Sequence, residues 1–233
     1  MTVTLIIPAL NEEKYLPQTL ASVKALTRQP DEIIVVNAQS EDKTAEIAKK
    51  YGAKIIMVDR RSIGYSRNQG LKAASGDIVA FTDADTILPT NWLSTIVSHM
   101  EKNNVVGVFG GFRVPDGPWW YRLYINVFQP FSNTLTYALF KIPFATGQNM
   151  AFYRKNALAA GGFPEDFKIA EDIEIARRVM STGGIVFSQR FFVVASGRRG
   201  NEGFWQLVSR SFSAFFYYFI YHKADKIGFP NLR

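Results

Sequence analysis

Asp77-Ile78-Val79-Ala80-Phe81-Thr82-Asp83-Ala84-Asp85 is a short apolar run that ends in two carboxylates one residue apart. Ser75-Gly76 ahead of it supplies a turn, and an apolar run bounded by turn formers reads as a strand buried on both faces. Its carboxyl end then carries Asp83 and Asp85. In open parallel sheets ligands bind at that edge, and alternate residues past a strand end turn their oxygens toward one point. Two hard oxygen ligands suit Mg²⁺ or Mn²⁺, which keep several waters and take the rest of their shell from substrate phosphates. The same pair could serve as turn and capping residues for the helix expected from Thr90, although one aspartate would suffice for a cap.

Outward from this strand, short apolar segments alternate with amphipathic ones. Val3–Pro8, Glu32–Val36, Lys54–Val58 and Val105–Phe109 read as strands beside the central Ile78–Thr82. Between them the spacing predicts helices over Glu12–Leu26, with Asn11 as its cap, Lys43–Tyr51 closed by Gly52, Gly64–Ala74 and Thr90–Lys102. Such alternation is the mark of right-handed parallel crossovers, so residues 1–113 are expected to form a Rossmann-like, mostly parallel α/β sheet flanked by helices. Pro8-Ala9-Leu10-Asn11-Glu12 stands where a glycine-rich dinucleotide fingerprint would follow the first strand, which argues against a nicotinamide or flavin cofactor.

The chain of 233 residues has no cysteine and two histidines. Disulfides and thiolate metal sites are excluded, and zinc chemistry has little to work with. The N-terminus enters Val3-Thr4-Leu5-Ile6-Ile7 without a basic flank or cleavage site, so no signal peptide is read and a cytoplasmic site is expected. The net charge of +7 is concentrated late: from Arg190 on, seven Lys/Arg face only Glu202 and Asp225. This basic end is also aromatic, a pairing that suits anionic phosphates or an anionic membrane surface. No nucleic-acid motif or continuous basic stripe is present.

Character changes at Pro115-Asp116-Gly117-Pro118. Trp119 to Phe144 is aromatic and carries no charge from Leu123 to Phe140, but Asn126, Gln129, Pro130, Ser132 and Asn133 interrupt it. A span of about 20 apolar residues is therefore disfavoured and an interfacial hairpin is expected. Phe204–Tyr221 reads as a second aromatic helix, too short to cross a bilayer and rich in residues that sit among lipid headgroups. Core packing or a dimer interface would use the same stripes. The expected organisation is a Rossmann-like half over 1–113, a half over 114–203 rich in aromatic helix, and a C-terminal aromatic and basic segment over 204–233.

Several stretches together resemble one family. Ile6-Ile7-Pro8-Ala9-Leu10-Asn11-Glu12-Glu13, the turn Asn37–Asp42, Arg67-Asn68, Asp83-Ala84-Asp85, Gly147-Gln148-Asn149-Met150-Ala151-Phe152, Gly161-Gly162-Phe163 and Glu171-Asp172 occur in the order and spacing of family 2 inverting glycosyltransferases of the GT-A fold. The resemblance runs from Val3 to about Arg210. It implies a nucleotide-sugar donor, UDP- or GDP-linked, with Pro8, Ala9 and Glu12 bordering base and ribose, Arg67 near the donor, and Asp83, Ala84 and Asp85 forming the donor and metal motif. Asp172 matches the family's general base, at the start of a helix expected over Glu171–Thr182 where the dipole favours an ionised carboxylate. Glu171 and Asp172 as plain helix-terminal charges is the competing reading. Gly147, Gln148 and Asn149 would flank the sugar or acceptor, although a loop entering a strand looks the same. Arg198 and Arg199 are candidates for a diphosphate clamp, with a solvated loop or lipid contact as the alternative.

Two departures matter. The family usually carries an aspartate against the base where Asn37 stands, so uridine preference is open. Processive synthases carry a glutamine, two spacers, then arginine and tryptophan; here Gln206 and Arg210 have one spacer more and Ser211 follows. Transfer of one sugar at a time is expected, to a carbohydrate or to a lipid-phosphate acceptor such as a polyprenyl phosphate, with peripheral contact at the cytoplasmic membrane face. Competing readings are the same chemistry on a soluble acceptor, a non-catalytic sugar-nucleotide module, which would need a lost metal or base position, and a nucleotidyltransferase, disfavoured by the absence of a glycine-rich, lysine-containing phosphate loop.

Overall fold

The computed structural model describes residues 1–209 apart from Ile142, Ala145, Lys168 and Val208. Strand and helix alternate as β1 (Val3–Ala9), α1 (Leu16–Lys24), β2 (Glu32–Asn37), α2 (Thr44–Lys50), β3 (Lys54–Met57), α3 (Ile63–Ala73) and β4 (Ile78–Phe81). β5 (Thr86–Ile87), α4 (Trp92–Met100) and β6 (Val105–Arg113) follow, and then α5 (Trp119–Leu123), α6 (Gln129–Phe140), β7 (Met150–Tyr153), α7 (Arg154–Ala159), α8 (Glu171–Met180) and β8 (Gly184–Ala195). All eight strands join one sheet in the order β3-β2-β1-β4-β7-β6-β8-β5.

β1 pairs in parallel with both β2 and β4, so strand order reverses on either side of it. The crevice at such a reversal, outside the carboxyl ends of the strands, is where an open α/β sheet binds ligands. β7 enters antiparallel between β4 and β6, while β8 runs parallel to β6. Inside the first half, side chains alternate between two cores: Val3, Leu5 and Ile7 of β1 join Leu16, Leu20 and Trp92 on one face, and Ile6, Ile34 and Phe81 join Leu71 and Phe163 on the other. A strand buried on both faces loses the polar alternation of a half-exposed one, which is why these segments read as continuous apolar runs.

β6 changes register against β8 between Gly110 and Gly111. Asn149 closes that irregularity: its Nδ2 donates to the carbonyls of Gly111 (2.8 Å) and Phe191 (3.1 Å), and its Oδ1 accepts from the Trp92 indole N–H at 2.9 Å. Gly110 has no room for a side chain there, since a Cβ would lie 2.1 Å from Asn149 Nδ2.

Two sequence readings are corrected. The helix expected over Glu12–Leu26 begins at Leu16 with Pro17 in its first turn, where a missing N–H costs nothing. Asn11 does not cap it; it sits at φ 54° and its Oδ1 accepts from Glu41 N–H at 2.9 Å, stapling one loop to the next. Trp119 to Phe140 is not a hairpin but a continuous helical run, widened to a π-turn over Tyr124–Phe128. The wider turn is followed directly by Pro130, in the first turn of α6, so the proline that looked like a break is absorbed. Asn126 pins the run by donating to Val114 O and accepting from Val114 N–H. Tyr121 and Ile125 are buried, whereas Trp119, Phe128, Phe131, Leu135 and Leu139 are exposed. Of the second aromatic helix, Phe204–Leu207 is helical and the rest of the expected Phe204–Tyr221 lies outside the described residues apart from Ser209. Among the described residues no helix is long and apolar enough to cross a membrane.

Asn149→Ala removes the acceptor of a fully buried indole N–H, so it is expected to destabilise the chain by about 2–3 kcal/mol. The check is the midpoint of urea unfolding. An unchanged midpoint would mean that the Asn149 amide contributes nothing to closing the sheet.

Candidate active site

The carboxyl ends of β1, β2 and β4 bring together Pro8 and Ala9, Asn37, and Asp83 to Asp85. Ala9 pairs with Asn37 across the parallel ladder, and both are buried. Asn37 Oδ1 accepts from Ser40 N–H at 2.8 Å, so the amide oxygen is held in the turn after β2. Ala84 is buried and its carbonyl accepts from Thr19 Oγ1 at 2.8 Å, which fixes the backbone between the two aspartates.

The two aspartates belong to different ion-pair chains. Asp83 Oδ1 accepts from Arg67 Nη2 at 2.7 Å, and Arg67 Nη1 donates to Glu171 Oε1. Arg67 stands on α3 and is 2% exposed. Burial works against its charge, yet Asp83, Glu171 and Asp172 together hold it protonated, above the usual arginine range. Asp85 Oδ2 pairs instead with Arg198 Nη2 at 2.9 Å, and Arg198 also forks onto Glu12 at 2.8 and 3.2 Å. The Arg198 guanidinium lies over the Tyr15 ring, 4.7 Å from its centroid.

Asp172 opens α8 beside Glu171. Its Oδ2 accepts from Gly147 N–H and its Oδ1 from Ile173 N–H, each at 2.9 Å. Gly147 presses on Arg67, for a Cβ there would lie 2.1 Å from Nη2. The helix terminus reaches Asp172 through the Ile173 N–H, and burial opposes it. Burial raises its pKa, and the Asp83 charge adds to the rise, against the pull of Arg67 and of the Gly147 and Ile173 N–H groups. Glu171 is likewise raised, by burial first and by the Asp172 charge next.

Asp85 is pushed up to about 6, by burial first, with Arg198 opposing and the charges of Asp83 and Glu12 adding to the rise. An oxygen donor whose charge is disfavoured by burial and by like charges gains most from a bound cation, so the donor set fits Mg²⁺ or Mn²⁺. Among the described residues no group of three or more His, Asp and Glu converges as a metal cluster.

Not every expected residue faces this crevice. Asn149 is fully buried and its side-chain amide is spent on Trp92 and the sheet. Gln148 Oε1 accepts from Thr86 Oγ1 at 3.1 Å. Arg199 lies close enough to Asp85 to favour its ionised form. Tyr15, inside the helix expected over Glu12–Leu26, precedes α1 and carries the Arg198 stack. No local pattern announces a ring that meets a guanidinium from the far end of the chain.

This geometry has counterparts. The probable glycosyltransferase YdaM of Bacillus subtilis is 30% identical over 210 residues, 83% of this chain and 49% of its own length. The glucosyl-dolichyl phosphate glucuronosyltransferase of Haloferax volcanii is 30% identical over 123 residues, half of this chain and 39% of its own length. The chain thus spans less than half the length of these curated relatives. The mannosyltransferase PcManGT of Pyrobaculum calidifontis, solved with GDP-Man and Mn²⁺, superposes with a TM-score of 0.66 at 25% identity, over 83% of this chain and 56% of its own. The α/β architecture is the GT-A fold of such enzymes. Residues 4–160 match the family described as glycosyl transferase family 2, and with well over half of its length inside that match the chain belongs to this family.

Proposed function

We propose that this chain transfers a single sugar, with inversion, from a UDP- or GDP-sugar to an acceptor hydroxyl, with Asp172 as general base and Mg²⁺ or Mn²⁺ held by Asp85 with Asp83. The observation that carries the reading is the fixed position of Asp172. Two N–H groups hold its carboxylate, and Arg67 ties the adjacent Glu171 to the Asp83 of the metal motif. The metal motif and the residue beside the base thus meet through one guanidinium.

The chemistry follows from these positions. An acceptor O–H gives its proton to Asp172 as its oxygen attacks the anomeric carbon, the bond from that carbon to the diphosphate oxygen breaks, and the nucleoside diphosphate leaves with the electron pair. One displacement inverts the centre and needs no covalent enzyme intermediate. A bound divalent cation supplies charge stabilisation to the leaving diphosphate. Arg67 keeps Asp83 and Glu171 from repelling each other, and Arg198 and Arg199 bring guanidinium groups to the diphosphate side. Pro8, Ala9 and Asn37 shape the end of the crevice given to the nucleoside. The GDP-Man and Mn²⁺ held by PcManGT support the donor class.

The acceptor is proposed to be lipid-linked, at the cytoplasmic membrane face. Supporting this are the exposed aromatic face of the helical run after Trp119 and the dolichyl-phosphate substrate in the name of the Haloferax volcanii relative. Single transfer remains the reading, with Arg210 and Ser211, on which it partly turns, outside the described residues.

Asp172→Asn is expected to lower kcat by about 10³-fold while nucleotide binding is kept. Because burial raises the Asp172 carboxyl, the acid limb of the wild-type kcat/KM profile should lie above the ordinary aspartate range, with activity lost as pH falls through it. Near-wild-type turnover by the variant would remove Asp172 from the base role. For the membrane reading, flotation with vesicles of phosphatidylglycerol and phosphatidylethanolamine should carry the wild type upward and leave the double variant Phe128→Glu/Phe131→Glu behind. A wild type that stays at the bottom and turns over a soluble acceptor without lipid would contradict it.

A further inference from the structure

Arg198 is built into the donor crevice by its backbone as well as its side chain. β8 ends beside β5, Ser196 N–H donates to Asp85 O at 3.3 Å, and Ser196 Oγ accepts from Arg198 N–H at 3.3 Å. One residue earlier in the turn, Gly197 N–H donates to Asp116 Oδ1 at 2.7 Å. The turn over Gly197–Glu202 therefore presents Arg198 to the very aspartate whose carbonyl anchors it. The guanidinium is held on three sides: forked on Glu12, bonded to Asp85 Oδ2, and stacked on Tyr15. With the Glu12 side chain 3% and the Asp85 side chain 15% exposed, water screens these contacts weakly.

A divalent cation ligated by Asp85 would share with Arg198 a carboxylate whose Oδ2 already carries the guanidinium. Guanidinium and metal would then be like charges on one carboxylate, so each weakens the other's hold on Asp85. We propose that Arg198 is a resident cation of the donor site, which neutralises Asp85 until metal and nucleoside diphosphate arrive together and then exchanges Asp85 for the diphosphate. The inference rests on the donor site proposed above. Glu12 and Tyr15 remain as the pivot, and the Nη2 N–H released from Asp85 finds a phosphate oxygen instead. Metal alone must break the Arg198–Asp85 pair and leave the arginine short of a partner. Metal with a diphosphate replaces that partner. Metal and nucleotide therefore raise each other's affinity by the same factor.

The test is Mn²⁺ binding, read from the electron paramagnetic resonance signal of the free ion, to the wild type, Arg198→Gln and Tyr15→Leu. Each is measured with Mn²⁺ alone and with UDP or GDP, after subtracting the Mn²⁺–nucleotide complex formed in solution. The wild type is expected to bind Mn²⁺ about tenfold more tightly with one of the nucleotides than without. Arg198→Gln, with Asp85 unpaired, should bind Mn²⁺ alone about fivefold more tightly than the wild type and lose most of the nucleotide effect. Tyr15→Leu removes the ring under the guanidinium without touching a charge. It should move Mn²⁺ affinity in the same direction by a smaller factor, and it decides the matter if Arg198→Gln does not fold. Variants that bind Mn²⁺ alone no more tightly than the wild type overturn the resident-cation role and leave the metal site standing. A wild type that takes up no Mn²⁺ under any of these conditions overturns both.

Discussion

A buried arginine is the constraint on which the site depends. Arg67, almost without solvent contact, must be neutralised where it stands, and Asp83 and Glu171 do so from opposite parts of the chain. Removing one partner of a buried pair leaves an uncompensated charge, which is far costlier than the net gain from the pair. The arginine therefore fixes α3, the end of β4 and the start of α8 relative to one another, with Gly147 closed down on its guanidinium. Its Nε is buried without a hydrogen-bond partner, a sign that this packing was set by the two terminal nitrogens.

The second ion-pair chain has a different character. Glu12, Asp85 and Arg198 are gathered from a loop after β1, the turn after β4 and the turn after β8, and the Arg198 side chain is 21% exposed where that of Arg67 is 3%. Ala84, held by Thr19, joins the two chains. In the proposed function, the chain of the buried Arg67 stands beside the base and that of the more exposed Arg198 beside the metal. Proton acceptance needs a carboxylate that does not wander, whereas a donor site must rearrange as charged ligands come and go.

The half of the fold nearest the N-terminus was legible because its signals are local. Apolar runs, glycine stops and the terminal pair Asp83 and Asp85 lie within a few residues of one another, and β4 ends at Phe81, one residue short of the strand expected over Ile78–Thr82. What escaped the sequence depends on partners far apart in it. Arg67 meets Glu171 across 104 positions and Arg198 meets Glu12 across 186. Asn149, which sits in a motif that looks like ligand contact, is consumed by a register shift in β6 that no spacing announces. Pro130 read as a break because a proline usually ends a helix, and the preceding π-turn removed that conflict.

The central claim is that Asp85 and Asp83 hold a metal at a donor site whose base is Asp172. Anomalous scattering from crystals grown with Mn²⁺ and the nucleoside diphosphate that binds tests it most directly. The account predicts one strong manganese peak against Asp85, with the diphosphate on its open side and the Asp83–Arg67–Glu171 chain intact. A peak elsewhere, or a nucleotide seated away from the carboxyl ends of β1, β2 and β4, would contradict it.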